Sequence, residues 1–141
     1  MNISQMKDVL AEILTKTNLT PCVVGHRGVG KSAGITQVCR EIGRDYVALR
    51  LGQMEVGDLV GIPYREEKVM HWSQPSWWPV AGAPATIVHC DELNRAQQED
   101  TLQAIFQFVE PPVKGEQRRL HTHVLDQKHK VVVSINPPDG T

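Results

Sequence analysis

A glycine-rich turn between an apolar run and a helical pattern is the feature that most constrains how this chain can fold. Residues 25–32 have the sequence GHRGVGKS, which satisfies the pattern G-x-x-x-x-G-K-[ST]. The turn follows residues 21–25, an apolar run that predicts a strand buried on both faces, as in a parallel sheet. It precedes a helix that we expect from about residue 30 to residue 42, where Gly43 ends it. This order of elements is typical of a phosphate-binding loop.

Each residue type in the turn has a physical role toward phosphate. Glycines let backbone N–H groups approach phosphate oxygens, and the helix N-terminus adds its partial positive charge. Lys31 is expected to reach the β- and γ-phosphates of a nucleotide, and the Ser32 hydroxyl to ligate Mg²⁺. The predicted nucleotide contacts are Gly25, His26, Arg27, Gly28, Val29, Gly30, Lys31, Ser32 and Ala33.

Two acidic residues follow a second apolar strand. Residues 85–90 (ATIVHC) predict a buried strand that ends in Asp91 and Glu92, and ligands gather at the carboxyl ends of strands in an open α/β sheet. Taken alone, this pattern is equally well explained by a strand and a polar turn. In a chain with a phosphate-binding loop, we expect Asp91 to hold the hydration shell of Mg²⁺. Glu92 is expected to orient or deprotonate the water that attacks the γ-phosphate.

Asn136 is a third candidate, after a strand predicted at residues 130–135 (KVVVSI). Its amide can hydrogen-bond the γ-phosphate or the attacking water without adding charge, although Asn-Pro after a strand is also a common turn. The candidate catalytic residues are therefore Lys31, Glu92 and Asn136, and the candidate Mg²⁺ ligands are Ser32 and Asp91.

The remaining pattern alternates helices with strands. Apolar residues at three- and four-residue steps predict a helix from Ile3 to about residue 17, and residues 46–51 predict a strand. A further helix is expected from about Arg95 to Glu110. Residues 52–84 predict an elaborated loop with a small hairpin around residues 67–72. The pattern predicts a single α/β domain over residues 1–141, with residues 1–19 as an N-terminal helix and helices on both faces of a parallel sheet.

Taken together, these motifs resemble those of AAA+ ATPases, most closely the MoxR-like and dynein-related branch. The matching segments are GHRGVGKS (Walker A), GDLVGIP, IVHCDELNRA (Walker B with an Asn-Arg-Ala tail), LQAIFQFVE and VVVSINPPDG (sensor 1). The resemblance runs from about residue 19 to residue 140 and implies a P-loop NTPase fold, a three-layer αβα sandwich with sheet order 5-1-4-3-2. It also implies ATP and Mg²⁺ as cofactors, assembly into a ring, which is a hexamer in the family, and ATP hydrolysis that remodels a protein partner.

By position in these motifs, the resemblance assigns Lys31 and Ser32 to phosphate and Mg²⁺, Asp91 to the metal's water shell, Glu92 to the catalytic base and Asn136 to sensor 1. Family members continue to a fifth strand, an arginine finger and a helical lid, whereas this sequence stops at Thr141. We therefore expect the fifth strand and the lid to be absent and ATP turnover by this chain alone to be weak.

The same departure affects the strand at residues 21–25. Without a fifth strand beside it, this strand becomes an apolar sheet edge, so we expect self-association through it or an unstable monomer. Arg118 and Arg119 precede the sensor 1 strand and are not assigned the role of the finger.

Charge and composition narrow the partners. The 15 Lys and Arg residues against 16 Asp and Glu give a formal net charge of −1, which disfavours nucleic acid and anionic lipid. No apolar run is long enough to span a membrane, and the N-terminus lacks a signal-peptide pattern, so we expect a cytoplasmic location. Three cysteines, each in an apolar or periodic stretch, indicate buried free thiols.

Several side chains allow two interpretations. Tyr64, Trp72, Trp77 and Trp78 either grip a partner or pack the long loop onto the body of the domain. Arg95 is either an intersubunit contact or an exposed arginine that is salt-bridged within its own chain.

The segment before the last strand is also open to two interpretations. His121 and His123 share one face of a possible strand, as two metal ligands would, but a solvated strand explains them as well. Basic residues between positions 114 and 130 are interleaved with acids, which favours a polar hairpin over a nucleic-acid patch.

The expected function is Mg-ATP hydrolysis by an AAA+ module that remodels a protein partner as part of an oligomer. Two other classes stay open. One is a non-hydrolysing nucleotide-binding module that acts as an assembly switch, which the missing finger and lid favour. The other is a nucleic-acid motor or its loader, which the nearly neutral charge disfavours.

Overall fold

A parallel four-stranded sheet forms the centre of the protein. The computed structural model describes residues 2–25, 30–96 and 98–137. Within these ranges the chain forms α1 (Ile3–Lys16), β1 (Cys22–Val24), α2 (Lys31–Glu41), β2 (Asp45–Arg50), α3 (Val56–Val60), β3 (Pro63–Glu66), β4 (Val69–Trp72), β5 (Thr86–Asp91), α4 (Glu99–Val109), β6 (Arg119–Leu120), β7 (His123–Val124) and β8 (Lys130–Ile135). Short 3-10 turns follow β2 and β5, at Leu51–Gln53 and Leu93–Arg95.

The sheet has the strand order β1-β8-β5-β2, and every neighbouring pair is parallel. Counted among themselves, these four strands have the order 1-4-3-2, as predicted for the four strands that the described residues provide. Helices pack on both faces of the sheet. The predicted α/β fold of the P-loop NTPase type is therefore confirmed.

Two apolar clusters hold the layers together. One face of the sheet packs against α1 and α2 through Leu10, Leu14, Ile35, Val38, Cys39, Ile87 and Val132. The opposite face packs against α3, α4 and the loops through a larger cluster that includes Leu49, Leu59, Trp78, Val88, Cys90, Ile105, Phe108, Val131 and Val133. Successive residues of β5 and β8 alternate between these clusters, because side chains along a strand point to opposite faces.

The long loop packs onto the α4 face through its tryptophans. Trp78 is 5% exposed and joins the larger cluster, and the Trp77 Nε1–H donates a 2.8 Å hydrogen bond to the carbonyl of Asp58. The ring of Trp72 packs edge-on against His121 with a centroid distance of 4.4 Å. These contacts favour the packing interpretation for the three tryptophans. Tyr64 is different, because it lies on β3 and is 49% exposed.

The boundaries differ from the predictions in two places. The hairpin predicted around residues 67–72 is longer, since β3 and β4 pair antiparallel from Pro63 opposite Trp72, and α3 precedes it. The helix predicted from Arg95 begins at Glu99 instead, because residues 93–95 form a 3-10 turn with their own backbone bonds. None of the helices in the described ranges is both long enough and apolar enough to cross a membrane.

The prediction that residues 21–25 form a strand buried on both faces is wrong. Only Cys22–Val24 is a strand, Cys22 is exposed, and Val24 is 61% exposed. Because β1 lies at an edge of the described sheet, only Val23 packs into the cluster beneath α1 and α2. The other side chains open onto an apolar groove of about 680 Å³ between α1 and β1.

The prediction of three buried free thiols is correct for two of the cysteines. Cys39 and Cys90 are buried, and burial raises the pKa of Cys39 to about 11 and that of Cys90 to about 12. Both thiols therefore stay protonated at neutral pH and behave as small apolar side chains. Cys22 is also a free cysteine, but it is exposed on β1.

Arg118 holds the C-terminal end of α4. The residue is 6% exposed, and its Nη1 lies 2.9 Å from the carbonyl oxygen of Phe108 and 3.2 Å from those of Val109 and Glu110. Its Nη2 donates to the carbonyl of Asn18 at 3.2 Å. The last carbonyls of a helix have no partner within the helix, and a cation there also interacts favourably with the helix dipole. Arg118 is therefore a structural residue that caps α4.

We expect Arg118→Met to lower the free energy of unfolding by about 3 kcal/mol, because it leaves the buried carbonyl oxygen of Phe108 without its Arg118 donor and removes the cation from the end of α4. Urea unfolding followed by circular dichroism measures the change. Arg119→Met is the matched control, since Arg119 is adjacent and exposed. The control should change stability by less than about 0.5 kcal/mol. Equal effects of the two substitutions would contradict the capping role.

His129 is a buried acceptor at the start of β5. Its Nδ1 accepts a 3.0 Å hydrogen bond from the backbone N–H of Thr86, and the residue is 5% exposed. Burial is the main cause that lowers the pKa of His129 below its ordinary value of 6.5, with a further lowering by Lys128. A protonated ring carries N–H groups at both nitrogens and cannot accept this bond.

The protein should therefore lose stability as the pH falls below about 6.5. The unfolded chain binds a proton at the ordinary pKa of His129, whereas the folded chain does so only at lower pH. The stabilising contribution of neutral His129 is thus complete above the ordinary pKa of 6.5, and it is lost as the pH decreases toward the lower pKa of the folded state. His129→Asn keeps an acceptor oxygen and cannot titrate. It should therefore reduce the slope of the free energy of unfolding against pH, measured by urea unfolding between about pH 7 and pH 5. A slope equal to that of the wild type would contradict this account.

Candidate functional site

Lys31 lies where the ends of β1 and β8 meet. It is the first residue of α2, and the residue before it, Gly30, has a left-handed φ of 89°, which glycine adopts at little cost. The Lys31 side chain is 8% exposed, and its ammonium contacts the carbonyl oxygen of Gly25 and the amide Oδ1 of Asn136. It also donates to the carbonyl of Ile135 at 3.2 Å. The cation therefore links the start of α2 to the ends of β1 and β8.

Part of the predicted phosphate loop is outside the described residues. His26, Arg27, Gly28 and Val29 fall in this gap, so their predicted contacts stay predictions. Ser32 and Ala33 lie in the first turn of α2 and are exposed, and the Ser32 carbonyl accepts a 2.8 Å bond from the Thr36 hydroxyl. The Ser32 side chain is thus at the helix N-terminus, as a ligand of a phosphate-bound cation would be.

Asp91 lies at the carboxyl end of β5 with its side chain 21% exposed. Its Oδ1 accepts a 2.8 Å hydrogen bond from the hydroxyl of Ser134, which is on the neighbouring strand β8 and fully buried. The carboxylate is therefore fixed on one side and open to solvent on the other. An oxygen ligand of this kind, together with a serine hydroxyl, suits Mg²⁺.

Glu92 has an unusual backbone. Its φ of 57° and ψ of 43° are left-handed, and it begins the 3-10 turn of residues 93–95. Its side chain lies close to the backbone of Gly52, where an added Cβ would be 3.3 Å from Glu92 Oε2 and 3.1 Å from Arg95 Cβ. Strained non-glycine residues of this kind cluster at functional sites. The fold therefore fixes the direction of Glu92 through its backbone and leaves space for it at Gly52.

Asn136 is held from two sides. Its amide oxygen contacts the Lys31 ammonium, and its backbone carbonyl accepts a 2.6 Å bond from Nδ2 of Asn94. Asn94 belongs to the turn after Glu92, so the two strand ends are tied together by this bond. The structure thus brings Lys31, Asn136 and the turn after Asp91 and Glu92 to one edge of the sheet.

Sequence reasoning missed three residues near this edge, namely His89, Asn94 and Ser134. A signal for two of them was present, because His89 and Ser134 are polar residues inside otherwise apolar strands. His89 lies two positions before Asp91 and therefore shares its face of the sheet. Burial lowers the pKa of His89, Asp91 opposes this effect and Lys31 adds to it. Asn94 gave no signal beyond the motif that contains it.

The remaining candidates lie elsewhere. Arg95 is exposed in the 3-10 turn, so its intersubunit role stays a prediction. The interpretation of His121 and His123 as a solvated strand is wrong for His123, which is 5% exposed and whose Nε2 bonds the carbonyl of Val60 at 2.8 Å. The strand turns inward there because β7 packs beneath Trp78. Across the described residues, no group of three His, Cys, Asp or Glu side chains could hold a metal ion by itself.

Solved structures share this fold. NtrX from Brucella abortus, crystallised in complex with ATP, has a TM-score of 0.59 and 14% identity, over 96% of this chain and 29% of its own. A full-length MCM homolog from Methanopyrus kandleri has a TM-score of 0.55 and 17% identity, over 94% of this chain and 28% of its own. This chain therefore spans less than a third of the length of either protein. No protein-family model matches the sequence, and no curated protein matches it.

At these identities the likeness shows the fold alone. The shared fold is the parallel four-stranded sheet with helices on both faces that is described above.

Proposed function

We propose that this chain is the nucleotide-binding domain of an AAA+ ATPase of the MoxR-like and dynein-related branch. It binds Mg-ATP and, within an oligomer, hydrolyses it to remodel a protein partner. The observation that carries the proposal is the convergence of Lys31, Asp91, Glu92 and Asn136 at the carboxyl ends of three adjacent parallel strands. The fold shared with NtrX, which was crystallised with ATP, supports the choice of nucleotide.

Lys31 supplies positive charge for the phosphates. Its ammonium contacts neutral oxygens at the ends of β1 and β8, including the backbone carbonyls of Gly25 and Ile135 and the Asn136 amide. Phosphate oxygens are charged and form stronger hydrogen bonds with an ammonium than neutral acceptors do. Nucleotide binding should therefore draw Lys31 to the phosphates and release the Asn136 amide for the γ-phosphate or the attacking water.

The two acids act on different partners. Asp91 and Ser32 provide oxygen ligands for Mg²⁺, which neutralises charge on the phosphates when it is bound. Glu92 orients the attacking water and accepts its proton. The left-handed backbone of Glu92 directs its side chain away from the strand, so the two carboxylates do not point in the same direction. Under this division, Asp91 contributes to nucleotide binding and Glu92 to turnover.

The proposal includes assembly and a protein partner. The open edge of β1 and the groove beside α1 present apolar side chains, with Val24 61% and Val9 45% exposed, and such surfaces mark interaction sites. The β3–β4 hairpin presents a second set, Val69 and Met70, which are 57% and 62% exposed. The first surface supports contact with neighbouring subunits, and the second supports contact with the partner.

Lys31→Ala should abolish ATP binding and leave the fold intact, because the phosphate charges then face backbone N–H groups without a cation. Calorimetric titration with ATP measures the affinity, and circular dichroism checks the fold. Lys68→Ala, at an exposed lysine in the hairpin turn, is the matched control and should bind ATP as the wild type does. Unchanged affinity in Lys31→Ala would overturn the assignment of the phosphate loop.

Asp91→Asn should weaken the Mg²⁺-dependent part of ATP binding, whereas Glu92→Gln should keep binding and lose about 100-fold or more in turnover. The reason is that Asp91 acts on the ground-state metal shell and Glu92 on the water in the transition state.

Turnover per chain should also rise with protein concentration if neighbouring subunits complete the site. Binding without turnover at any concentration would instead favour a nucleotide-dependent assembly switch.

A further inference from the structure

A line of four polar side chains crosses the sheet on the face covered by α2. The Tyr46 hydroxyl on β2 lies 2.6 Å from Nδ1 of His89 on β5. His89 Nε2 lies 2.6 Å from the Ser134 hydroxyl on β8, and that hydroxyl donates to Asp91 Oδ1 at 2.8 Å. His89 and Ser134 are fully buried, and the Tyr46 side chain is half-buried. The line therefore begins on the strand farthest from β1 and ends on the proposed metal ligand.

The direction of every hydrogen bond in this line follows from the number of protons available. A carboxylate only accepts, so the Ser134 hydroxyl gives its single proton to Asp91. Ser134 must then accept from His89, which places the ring proton on Nε2. A neutral ring with its proton on Nε2 accepts at Nδ1, so the Tyr46 hydroxyl donates there. A neutral imidazole is also the form that full burial favours.

The first residue of the line also contacts the phosphate-loop helix. The Thr36 hydroxyl lies beside the Tyr46 phenol and lowers its pKa, although burial raises that pKa by more. The same Thr36 hydroxyl donates to the carbonyl of Ser32. The line therefore begins beside Thr36 on α2 and ends at Asp91, a proposed ligand of Mg²⁺.

We propose that Tyr46, His89 and Ser134 are positioning residues that hold the Asp91 carboxylate in a single orientation for Mg²⁺. The bond from Ser134 to Oδ1 fixes the rotation of the carboxylate, so that the metal shell meets it in one orientation. His89 keeps the Ser134 hydroxyl pointing at Asp91 because it fills the acceptor side of that hydroxyl. Tyr46 keeps His89 in the tautomer that donates to Ser134. This inference rests on the proposed binding of Mg-ATP.

The simpler account is that these groups only satisfy one another inside the sheet. Under that account, removing one hydroxyl changes stability and leaves metal binding alone. Under the proposal, it changes the tautomer of His89 and the metal-dependent part of nucleotide binding. Hydrogen-bonding partners of metal ligands typically contribute 10-fold to 100-fold to metal affinity. The two accounts therefore predict different results for the His89 tautomer and for metal affinity, and neither quantity is determined by stability.

The test uses two variants with matched controls. Ser134→Ala removes the hydroxyl that contacts Asp91, and Tyr46→Phe removes one oxygen at the far end of the line. Ser4→Ala, at an exposed serine on α1, and Tyr64→Phe, at the exposed tyrosine on β3, make the same chemical changes away from the line. Calorimetry measures ATP affinity in EDTA and in Mg²⁺, and Mn²⁺ titration by electron paramagnetic resonance measures metal affinity with ATP present.

The proposal predicts that Ser134→Ala loses about tenfold or more in Mn²⁺ affinity and keeps its ATP affinity in EDTA. Tyr46→Phe should show a smaller loss of the same kind, and both controls should match the wild type. Losses in EDTA equal to those in Mg²⁺, or Mn²⁺ affinities equal to that of the wild type, would overturn the inference. Failure of the wild-type protein to bind ATP would instead overturn the proposed function on which the inference rests.

A second measurement needs neither metal nor nucleotide. Imidazole ¹⁵N chemical shifts of the wild-type protein should show His89 neutral with its proton on Nε2. In Tyr46→Phe, where Nδ1 loses its donor, the shifts should indicate a mixture of tautomers. Tyr64→Phe should leave the shifts of His89 unchanged. A wild-type ring with its proton on Nδ1, or identical His89 shifts in Tyr46→Phe, would contradict the directed line of hydrogen bonds.

Discussion

The parallel pairing of β8 between β1 and β5 is the constraint on which the rest of the structure depends. The register sets Val24 opposite Ile135 and Cys90 opposite Val133. The carboxyl ends of the three strands therefore lie nearly side by side at one edge of the sheet. The residues that follow these strands must then meet at one edge of the sheet: Gly25, Asn136, and the pair Asp91 and Glu92. The buried Lys31 ammonium lies among the strand ends and needs several oxygens around it, because a desolvated cation is costly without partners. The strand order and register therefore determine which polar side chains meet at this edge of the sheet.

The α2 face of the sheet combines apolar packing with a polar line. Ile87 and Val132 pack under α1 and α2, and two residues further along each strand His89 and Ser134 replace apolar side chains. Burial of an imidazole and a hydroxyl is unfavourable unless every donor and acceptor has a partner. Here each group has one, and the line ends on a carboxylate that solvent still reaches. A polar interior of this kind restricts Asp91 to fewer orientations than an apolar neighbour would.

The strands, and the position of Asp91 and Glu92 at the end of β5, could be predicted from the sequence because they depend on local periodicity. Strand β8 was predicted at its observed bounds, since KVVVSI is apolar and ends at Asn-Pro. The apolar run by itself predicted burial of residues 21–25, whereas the exposure of Val24 follows from the position of β1 at an edge of the described sheet, which only the family resemblance implied. The roles of Arg118 and His123 were also missed, since both bury polar side chains against carbonyl oxygens from distant segments. Local patterns do not encode such contacts.

The two acids at the end of β5 are fixed in place by different means, and this difference bears on their proposed roles. Asp91 continues the strand, so its direction is set by the pleat and by the hydrogen bond from Ser134. Glu92 leaves the strand through a left-handed backbone, and its carboxylate lies close to Gly52, where a larger residue would crowd it. A metal ligand benefits from a carboxylate held by a side-chain partner, because its orientation controls the coordination geometry. A base that acts on water benefits from a fixed backbone, since it must reach the water and then accept its proton. One residue of displacement along the chain therefore gives two carboxylates with the same chemistry different surroundings, and this difference is the basis for proposing a binding role for Asp91 and a catalytic role for Glu92.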